Sequence, residues 1–129
     1  MEKQIFLNTY VNNITMSEAL INVEKLISQK KKSYIVAVNV DVIMKIEDDK
    51  YLKKISDEAD MTLVDGKPLI WISKLKKHPI KEKISGSDLV PKICELAAKK
   101  DYTIFIIGGK DEIANKAKQE LEKKYLIPK

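Results

Sequence analysis

Short apolar runs alternate along the chain with longer segments in which apolar residues recur every three or four positions. The apolar, β-rich runs occupy 4–7, 10–11, 33–38, 61–64 and 102–107. The helical periodicity covers about 16–30, 41–47, 48–56, 68–75, 87–97 and 111–124. Strands that alternate with helices predict an α/β fold, with a Rossmann-like, mainly parallel sheet and helices on both faces. The length of 129 residues predicts one domain over 1–129.

Local signals sharpen several of these elements. Thr15 and Glu18 have the spacing of a capping box at the start of the first helix. Pro68 suits the first turn of a helix, and Ser87 is the predicted N-cap of the next one. Asn12-Asn13 is a turn signal. The run 102–107 is the clearest candidate for a strand that is buried on both faces.

The carboxyl ends of the predicted strands carry the candidate chemistry. In α/β sheets, ligands bind beyond these ends. Three polar or glycine pairs follow strands here: Asn39 with Asp41, Asp65 with Gly66, and Gly108 with Gly109. The topology therefore predicts that the three pairs converge at one edge of the sheet.

Two of these pairs have a structural interpretation beside the functional one. Asp65-Gly66 suits a tight turn, because glycine adopts positive φ. Alternatively, Asp65 is a carboxylate held at a strand end, where it can accept a proton from a sugar hydroxyl. Asn39 suits the cap of the following helix, but its amide also suits a hydroxylated ligand. The local sequence leaves these alternatives open.

The glycine-containing loops are weaker signals. The segment 85–88 (Ser-Gly-Ser-Asp) opens a helix, and its backbone N–H groups could also hold a diphosphate or a sugar hydroxyl. It lacks the GxxxxGK[ST] pattern of a P-loop. Gly108-Gly109 allows close approach of a ligand to the backbone, but it lacks the GxGxxG pattern.

Three single residues receive structural interpretations. Trp71 falls within an apolar helical stripe and is read as a packing residue, in preference to a platform for a sugar ring. Cys94, among apolar helix residues, is read as a small buried hydrophobe. His78 is expected to be exposed, and it has no nearby cysteine or histidine partner, so no metal site and no cofactor are predicted.

The charge pattern bears on partners. All 24 basic residues are lysines, and the net charge is +5. Lysine favours diffuse attraction to anionic surfaces over bidentate phosphate recognition, although a solvated surface explains the excess equally well. Lysines at 30–32, 74–77 and 99–100 are the candidates for an anionic membrane surface. A nucleic-acid partner is not expected, because arginine is absent and aromatic residues make up only 6%.

The compartment follows from what the sequence lacks. A single cysteine permits no disulfide within the chain and fits a reducing compartment. No apolar run approaches the roughly 20 residues that span a bilayer, and the first residues lack the apolar core of a signal peptide. The expected location is the cytoplasm or the inner face of the cell membrane.

The order of these motifs resembles the WecG/TagA/CpsF glycosyltransferase family. The resembling pieces are Asn39-Val40-Asp41, Ala59-Asp60, Val64-Asp65-Gly66-Lys67-Pro68, Trp71, Ser85-Gly86-Ser87-Asp88-Leu89 and Ile106-Ile107-Gly108-Gly109. The segment 13–19, which leads into the first helix, is also similar, so the resemblance covers nearly the whole chain.

The resemblance implies a specific reaction. The family moves N-acetylmannosamine or a related sugar from a UDP donor to undecaprenyl-diphosphate-linked N-acetylglucosamine, with inversion and without a metal. The products feed wall teichoic acid or related surface polymers. Asp65 corresponds to the family's proposed base and Asn39 to its strand-end asparagine. The expected binding set is Asn39, Asp41, Gly66, Ser85, Gly86, Ser87, Asp88, Gly108 and Gly109.

The chain departs from the family pattern at three places. Ala37 stands where the family usually has threonine, and Lys83 where it often has arginine. Members also continue past the last helix into a basic segment that contacts lipid, which this chain is expected to lack. A core without that segment would expose apolar surface, so homo-oligomer formation stays open. Ala37 and the short C-terminus favour the alternative of a non-catalytic UDP-binding or nucleotide-binding module.

Overall fold

The computed structural model describes residues 2–76, 78–110 and 112–125, which form two compact units that divide between Gly86 and Ser87. The first unit contains β1 (Gln4–Phe6), β2 (Thr9–Val11), α1 (Met16–Ser28), β3 (Ile35–Val38), α2 (Val40–Asp48), α3 (Lys50–Glu58), β4 (Met61–Val64) and α4 (Lys67–Leu75). Helix α5 (Gly86–Lys100) begins at its last residue, and α6 (Ile113–Tyr125) lies in the second unit. The predicted α/β class is confirmed, although the sheets are small. The prediction of a single domain stays a prediction.

The capping box at the start of α1 forms as predicted. The Glu18 backbone N–H donates to Thr15 Oγ1 at 3.2 Å, and the Thr15 N–H donates to Glu18 Oε1 at 3.1 Å. Two N–H groups that a helix start leaves without intrahelical partners are thereby satisfied. Ala19 and Val23, four residues apart, point into the core.

A parallel pair of strands, β3 and β4, occupies the centre of the first unit. Their register runs from Ile35 opposite Met61 to Val38 opposite Val64. The other edge of β4 is also hydrogen-bonded. The Asn12 N–H donates to the Thr62 carbonyl at 2.8 Å, and the Ile84 N–H donates to the Val64 carbonyl at 2.9 Å. With neighbours on both edges, all four residues of β4 are buried.

Strands β1 and β2 pair in antiparallel orientation as a hairpin. The apolar core of the first unit joins this hairpin, the parallel strands β3 and β4, and helix α4. Its buried members are Phe6, Val11, Val38, Val64, Leu69 and Ile80. Side chains of α2 and α4 pack against this cluster. Burial of this apolar surface, at about 25 cal/mol per Å², is the main force that holds the elements together.

Asn12 and Asn13 do not form the predicted turn. Asn12 is buried, and its Oδ1 accepts the Thr62 backbone N–H at 2.7 Å while its Nδ2 donates to the Glu2 carbonyl at 2.9 Å. Asn13 Oδ1 accepts the Lys81 N–H at 2.7 Å. Both amides therefore bind backbone groups distant in sequence, which is a use that local turn statistics do not reveal.

The run 102–107 is not a strand in the structure, and this prediction is wrong. The described residues offer it no hydrogen-bonded neighbouring strand, and burial alternates along it. Phe105 is 84% exposed and Ile107 is 86% exposed. The apolar composition indicated burial on both faces, but only the even-numbered positions of this run are partly buried. Elsewhere in the second unit, Cys94 and Ala97 of α5 are buried as expected.

Helix α6 (Ile113–Tyr125) matches the predicted final helix, except that residue 111 and the terminal residues 126–129 lie outside the described part of the chain. Among the helices within the described ranges, none is long and apolar enough to cross a bilayer.

Removal of the Asn12 amide tests its role in fixing β4. We expect Asn12→Ala to lower the free energy of unfolding by about 1–3 kcal/mol, because the buried Thr62 N–H loses its acceptor. Urea denaturation followed by circular dichroism measures the change. Asn115→Ala, at an exposed position of α6, is the matched control and should change little. Equal stability of the two variants would contradict the assignment.

Candidate functional site

The carboxyl ends of three neighbouring backbone segments form one edge of the first unit. Val38 and Val64 are paired in register, and Ile84 is hydrogen-bonded to Val64 on the far side. The next residues along the chain are Asn39, Asp65 and Ser85. Since adjacent extended segments lie about 4.8 Å apart, these three residues are close neighbours at the edge. The predicted convergence is therefore met for the first two of the three pairs.

Asp65 occupies the middle of this edge. Its backbone N–H donates to the Val38 carbonyl at 2.8 Å, which continues the parallel ladder by one residue and fixes its backbone. The residue is half-buried. Within the described ranges, its carboxylate takes part in no hydrogen bond or ion pair. A fixed, partly exposed carboxylate without a protein partner is available to accept a proton from a ligand.

Gly66 fixes the direction of the chain after Asp65. Its φ of 104° is one that L side chains rarely adopt, and it is the N-cap of α4 without a side-chain cap. The turn interpretation of Asp65-Gly66 is therefore right for Gly66. It does not displace the functional interpretation of Asp65, whose side chain takes no part in the cap.

Asn39 is the N-cap of α2, as its structural interpretation predicted. Its Oδ1 accepts the Val42 N–H at 2.9 Å. The residue is exposed, so its amide N–H₂ can still reach a ligand. Asp41, in the first turn of α2, is exposed and pairs with Lys45 at 2.9 Å. Its carboxylate is thus already neutralised by a neighbour on its own helix.

Ser85 and Gly86 form the third part of the edge. Ser85 is buried, and the residue has an interaction partner within the molecule. A Cβ added at Gly86 would meet no atom within 4 Å, and Gly86 has no positive φ. The fold therefore does not require glycine here, whereas it does at Gly66.

Ser87 and Asp88 belong to the second unit and lie in the first turn of α5. The helix begins at Gly86, so the prediction that Ser87 is the N-cap is wrong by two residues, and Ser87 is the second residue of the helix. Helix boundaries read from sequence shift by such amounts because serine suits both the cap and the first turn. The negative charge of Asp88 in the first turn favours this helix start, and both residues have interaction partners within the molecule.

Gly108 and Gly109 also belong to the second unit, so their convergence with the edge of the first stays a prediction. Both have positive φ, 126° and 76°. A Cβ at Gly109 would lie 3.1 Å from Ile113 side-chain atoms. The reversal that leads into α6 thus requires glycine at Gly109 on structural grounds alone.

Asp60, part of the resembling Ala59-Asp60 motif, lies at the opposite end of β4 from Asp65. Its Oδ2 accepts the Tyr34 N–H at 3.0 Å, and Lys31 Nζ lies 3.1 Å from its Oδ1. The Tyr34 N–H, followed by Lys31, holds the pKa of the Asp60 carboxyl below its usual value. This aspartate joins the starts of β3 and β4, and its role is structural.

The packing interpretation of Trp71 is wrong. Trp71 is 62% exposed, and Leu75 of the same helix is 89% exposed. Leu69 and Ser73 form the buried face of α4 instead. The apolar stripe is wider than the face that the core covers, and local periodicity does not show which part of the stripe is buried.

The interpretations of Cys94 and His78 agree with the structure. Cys94 is fully buried, and burial raises the pKa of its thiol. His78 is exposed. Within the described ranges, no group of three or more histidine, cysteine, aspartate or glutamate side chains is gathered as metal ligands would be.

Two helix N-termini of the first unit open at the same edge as Asp65. Helix α2 follows Asn39, and α4 follows Gly66. Each N-terminus carries roughly half a positive charge and backbone N–H groups without intrahelical partners. The edge therefore combines one unpartnered carboxylate with partial positive charge suited to a phosphate-bearing ligand.

An α/β fold with a carboxylate and helix N-termini at its strand ends is suited to bind a ligand that carries phosphate. The sequence profile of the Glycosyl transferase WecG/TagA/CpsF family matches residues 4–127 of the 129 residues. The chain belongs to this family, and the protein is a glycosyltransferase with a sugar donor and an acceptor as its partners.

Two glycines at the edge should respond differently to substitution. We expect Gly66→Ala to lower the free energy of unfolding by about 1–2 kcal/mol, because alanine is strained at positive φ. Gly86→Ala should leave it within about 0.5 kcal/mol of wild type. Urea denaturation of both variants checks this. Loss of sugar transfer in a stable Gly86→Ala variant would then report a ligand contact, whereas a strongly destabilised Gly86→Ala would refute the open geometry.

The lowered pKa of Asp60 predicts a pH-dependent stability. Its contribution is present above the unfolded pKa of about 3.9 and is lost as the pH falls through the lower folded value. Asp60→Asn should therefore destabilise the protein at pH 7, with a difference from wild type that shrinks below about pH 4. Denaturation at both pH values measures it, with the exposed Asp48→Asn as control. A difference independent of pH would argue against this contribution.

Proposed function

We propose that the protein transfers N-acetylmannosamine from UDP-N-acetylmannosamine to undecaprenyl-diphosphate-linked N-acetylglucosamine, with inversion at the anomeric carbon and without a metal. The observation that carries the proposal is the Asp65 carboxylate, fixed at the end of β4 and without a protein partner in the described structure. Family membership supplies the reaction class, and the particular donor and acceptor are part of the proposal.

Asp65 is the general base in this mechanism. The acceptor hydroxyl oxygen attacks C1 of the donor sugar and forms the new glycosidic bond, while its proton passes to the Asp65 carboxylate. The bond between C1 and the diphosphate oxygen breaks, and UDP leaves with the electron pair. Attack on the face opposite the leaving group inverts the configuration, so a single base suffices.

The departing UDP gains negative charge, which the helix N-termini at the edge can stabilise. Preorganised dipoles aimed at developing charge lower a barrier without reorganisation during the reaction. The exposed amide of Asn39, and backbone at Gly66 and Gly86, are suited to bind hydroxyl groups of the sugars. Asp41, Ser85, Ser87, Asp88, Gly108 and Gly109 complete the proposed binding set.

The acceptor determines the proposed location and pathway. An undecaprenyl chain stays in the bilayer, so its diphosphate-sugar headgroup must be reached at the membrane surface. The protein therefore acts as a peripheral protein on the inner face of the cell membrane. The product is the disaccharide-lipid that wall teichoic acid or a related surface polymer requires.

The test is UDP release from UDP-N-acetylmannosamine, with and without a soluble lipid-diphosphate-N-acetylglucosamine analogue. We expect acceptor-dependent release by the wild type. In Asp65→Asn, turnover should fall on the order of a hundredfold or more, the scale of general-base catalysis. Asp48→Asn is the matched control, because Asp48 is an exposed carboxylate at the far end of α2.

The outcomes separate the parts of the proposal. Unchanged turnover in Asp65→Asn would remove Asp65 as the base. Acceptor-dependent release with another UDP-sugar, but none with UDP-N-acetylmannosamine, would replace the donor. UDP binding without transfer to any acceptor would favour a nucleotide-binding role for this chain. Circular dichroism of each variant shows whether a loss arises from unfolding.

A further inference from the structure

Helix α4 presents apolar side chains to solvent on the face opposite the core. At about 3.6 residues per turn, Lys67, Trp71, Lys74 and Leu75 share one face, and Leu69 and Ser73 lie on the other. Leu69 and Ser73 are buried, whereas Trp71 and Leu75 are the most exposed apolar residues of the helix. The outward face therefore exposes a tryptophan and a leucine where a solvated helix would carry polar residues.

Positive charge surrounds these two side chains. Lys67 and Lys74 flank them on α4, and Lys76 follows at its C-cap. No aspartate or glutamate occurs between Asp65 and Glu82 in the sequence. Within the described ranges, none of the three lysines forms an ion pair, although lysines elsewhere do, such as Lys31 with Asp60 and Lys53 with Asp57.

We propose that this outward face of α4, formed by Lys67, Trp71, Lys74, Leu75 and Lys76, docks on an anionic phospholipid bilayer. Tryptophan is favoured at the membrane–water interface, because its ring is apolar and its N–H is polar. Leucine enters the boundary of the acyl chains, and the lysines are attracted to anionic headgroups.

The charge of this face favours binding to an anionic bilayer over binding to a second copy of the chain. Two copies that met through this face would bring six lysines together without an acidic partner on it, and like charges at an interface oppose association. An anionic bilayer neutralises the same lysines.

The inner side of α4 is held against the first unit, which keeps the opposite side outward. Ser73 Oγ accepts the Ile80 N–H at 3.0 Å, which connects the helix to the segment that follows it.

Docking through α4 would also orient the candidate site. The helix starts two residues after Asp65 and is about 14 Å long at roughly 1.5 Å per residue. Its outward face thus anchors the element that directly follows the base. This connection rests on the proposed function, because it matters only if the acceptor is held in the bilayer. The docking itself does not rest on the proposed function.

Trp71 is the only tryptophan in the chain, so its fluorescence reports on this face alone. The full chain is titrated with phosphatidylglycerol–phosphatidylcholine vesicles and with pure phosphatidylcholine vesicles. We expect a blue shift of Trp71 emission, and quenching by brominated acyl chains, with the anionic vesicles only. The vesicle assay contains no sugar donor or acceptor, so its result does not depend on whether the protein transfers sugar. Likewise, the result of the transfer assay with soluble acceptor does not depend on vesicle binding.

Variants locate the binding surface. We expect the triple variant Lys67→Gln, Lys74→Gln, Lys76→Gln to lower vesicle partitioning by about a hundredfold, because each lysine contributes to attraction by anionic lipid. Leu75→Ser should lower it about tenfold by loss of apolar burial. The control substitutes three exposed lysines outside the predicted membrane-facing runs, Lys25, Lys50 and Lys54, by glutamine. Ile21→Ser, at another exposed apolar residue, in α1, is the control for Leu75→Ser.

Three results would overturn the proposal. The first is the absence of partitioning into anionic vesicles. The second is partitioning in which Trp71 emission does not shift, or in which the control lysines matter as much as those of α4. The third is a blue shift that follows protein concentration without vesicles, together with a dimer in sedimentation equilibrium, which would assign the face to a second copy.

Discussion

Hydrogen bonding along both edges of β4 is the constraint on which the rest of the first unit depends. On one edge, β3 pairs in parallel register, and on the other the Asn12 and Ile84 backbones donate to alternate carbonyls. A buried strand cannot leave these groups unpaired without a large cost. Satisfying them brings the hairpin, the parallel partner and the segment before α5 to one strand. The core then closes over it with Val38, Val64 and Leu69.

The same arrangement separates two aspartates that look alike in the sequence. Asp60 precedes β4 and is bound by Tyr34 and Lys31, so its charge serves to join strand starts. Asp65 follows β4, and only its backbone is used. Because parallel strands all end at one edge, the helices that follow them start there too, and their N-termini face the Asp65 side. The proposed base and the proposed stabilisation of UDP thus have one topological origin.

Helix α4 connects this edge with the molecular surface. Its inner side is fixed by Leu69 in the core and by Ser73, which holds the following loop. Its outer side is left with Trp71, Leu75 and lysines. If the acceptor is anchored in lipid, as proposed, an element that begins beside the proposed base and carries such a face would link binding of the membrane to binding of the acceptor.

Much of this could be read from the sequence, because it depends on neighbours along the chain. The capping box at Thr15, the strand before Asp65, the cap at Asn39 and the α/β class follow from local spacing and periodicity. Family membership followed from the order of the motifs.

Other features depend on contacts between distant residues, which local patterns do not contain. Asn12 is buried against Thr62, fifty positions away, and not in a turn. The run 102–107 has a strand's composition but no partner strand among the described residues. Which side of α4 is buried was decided by the core that it meets, and only the tertiary structure shows that Trp71 faces outward.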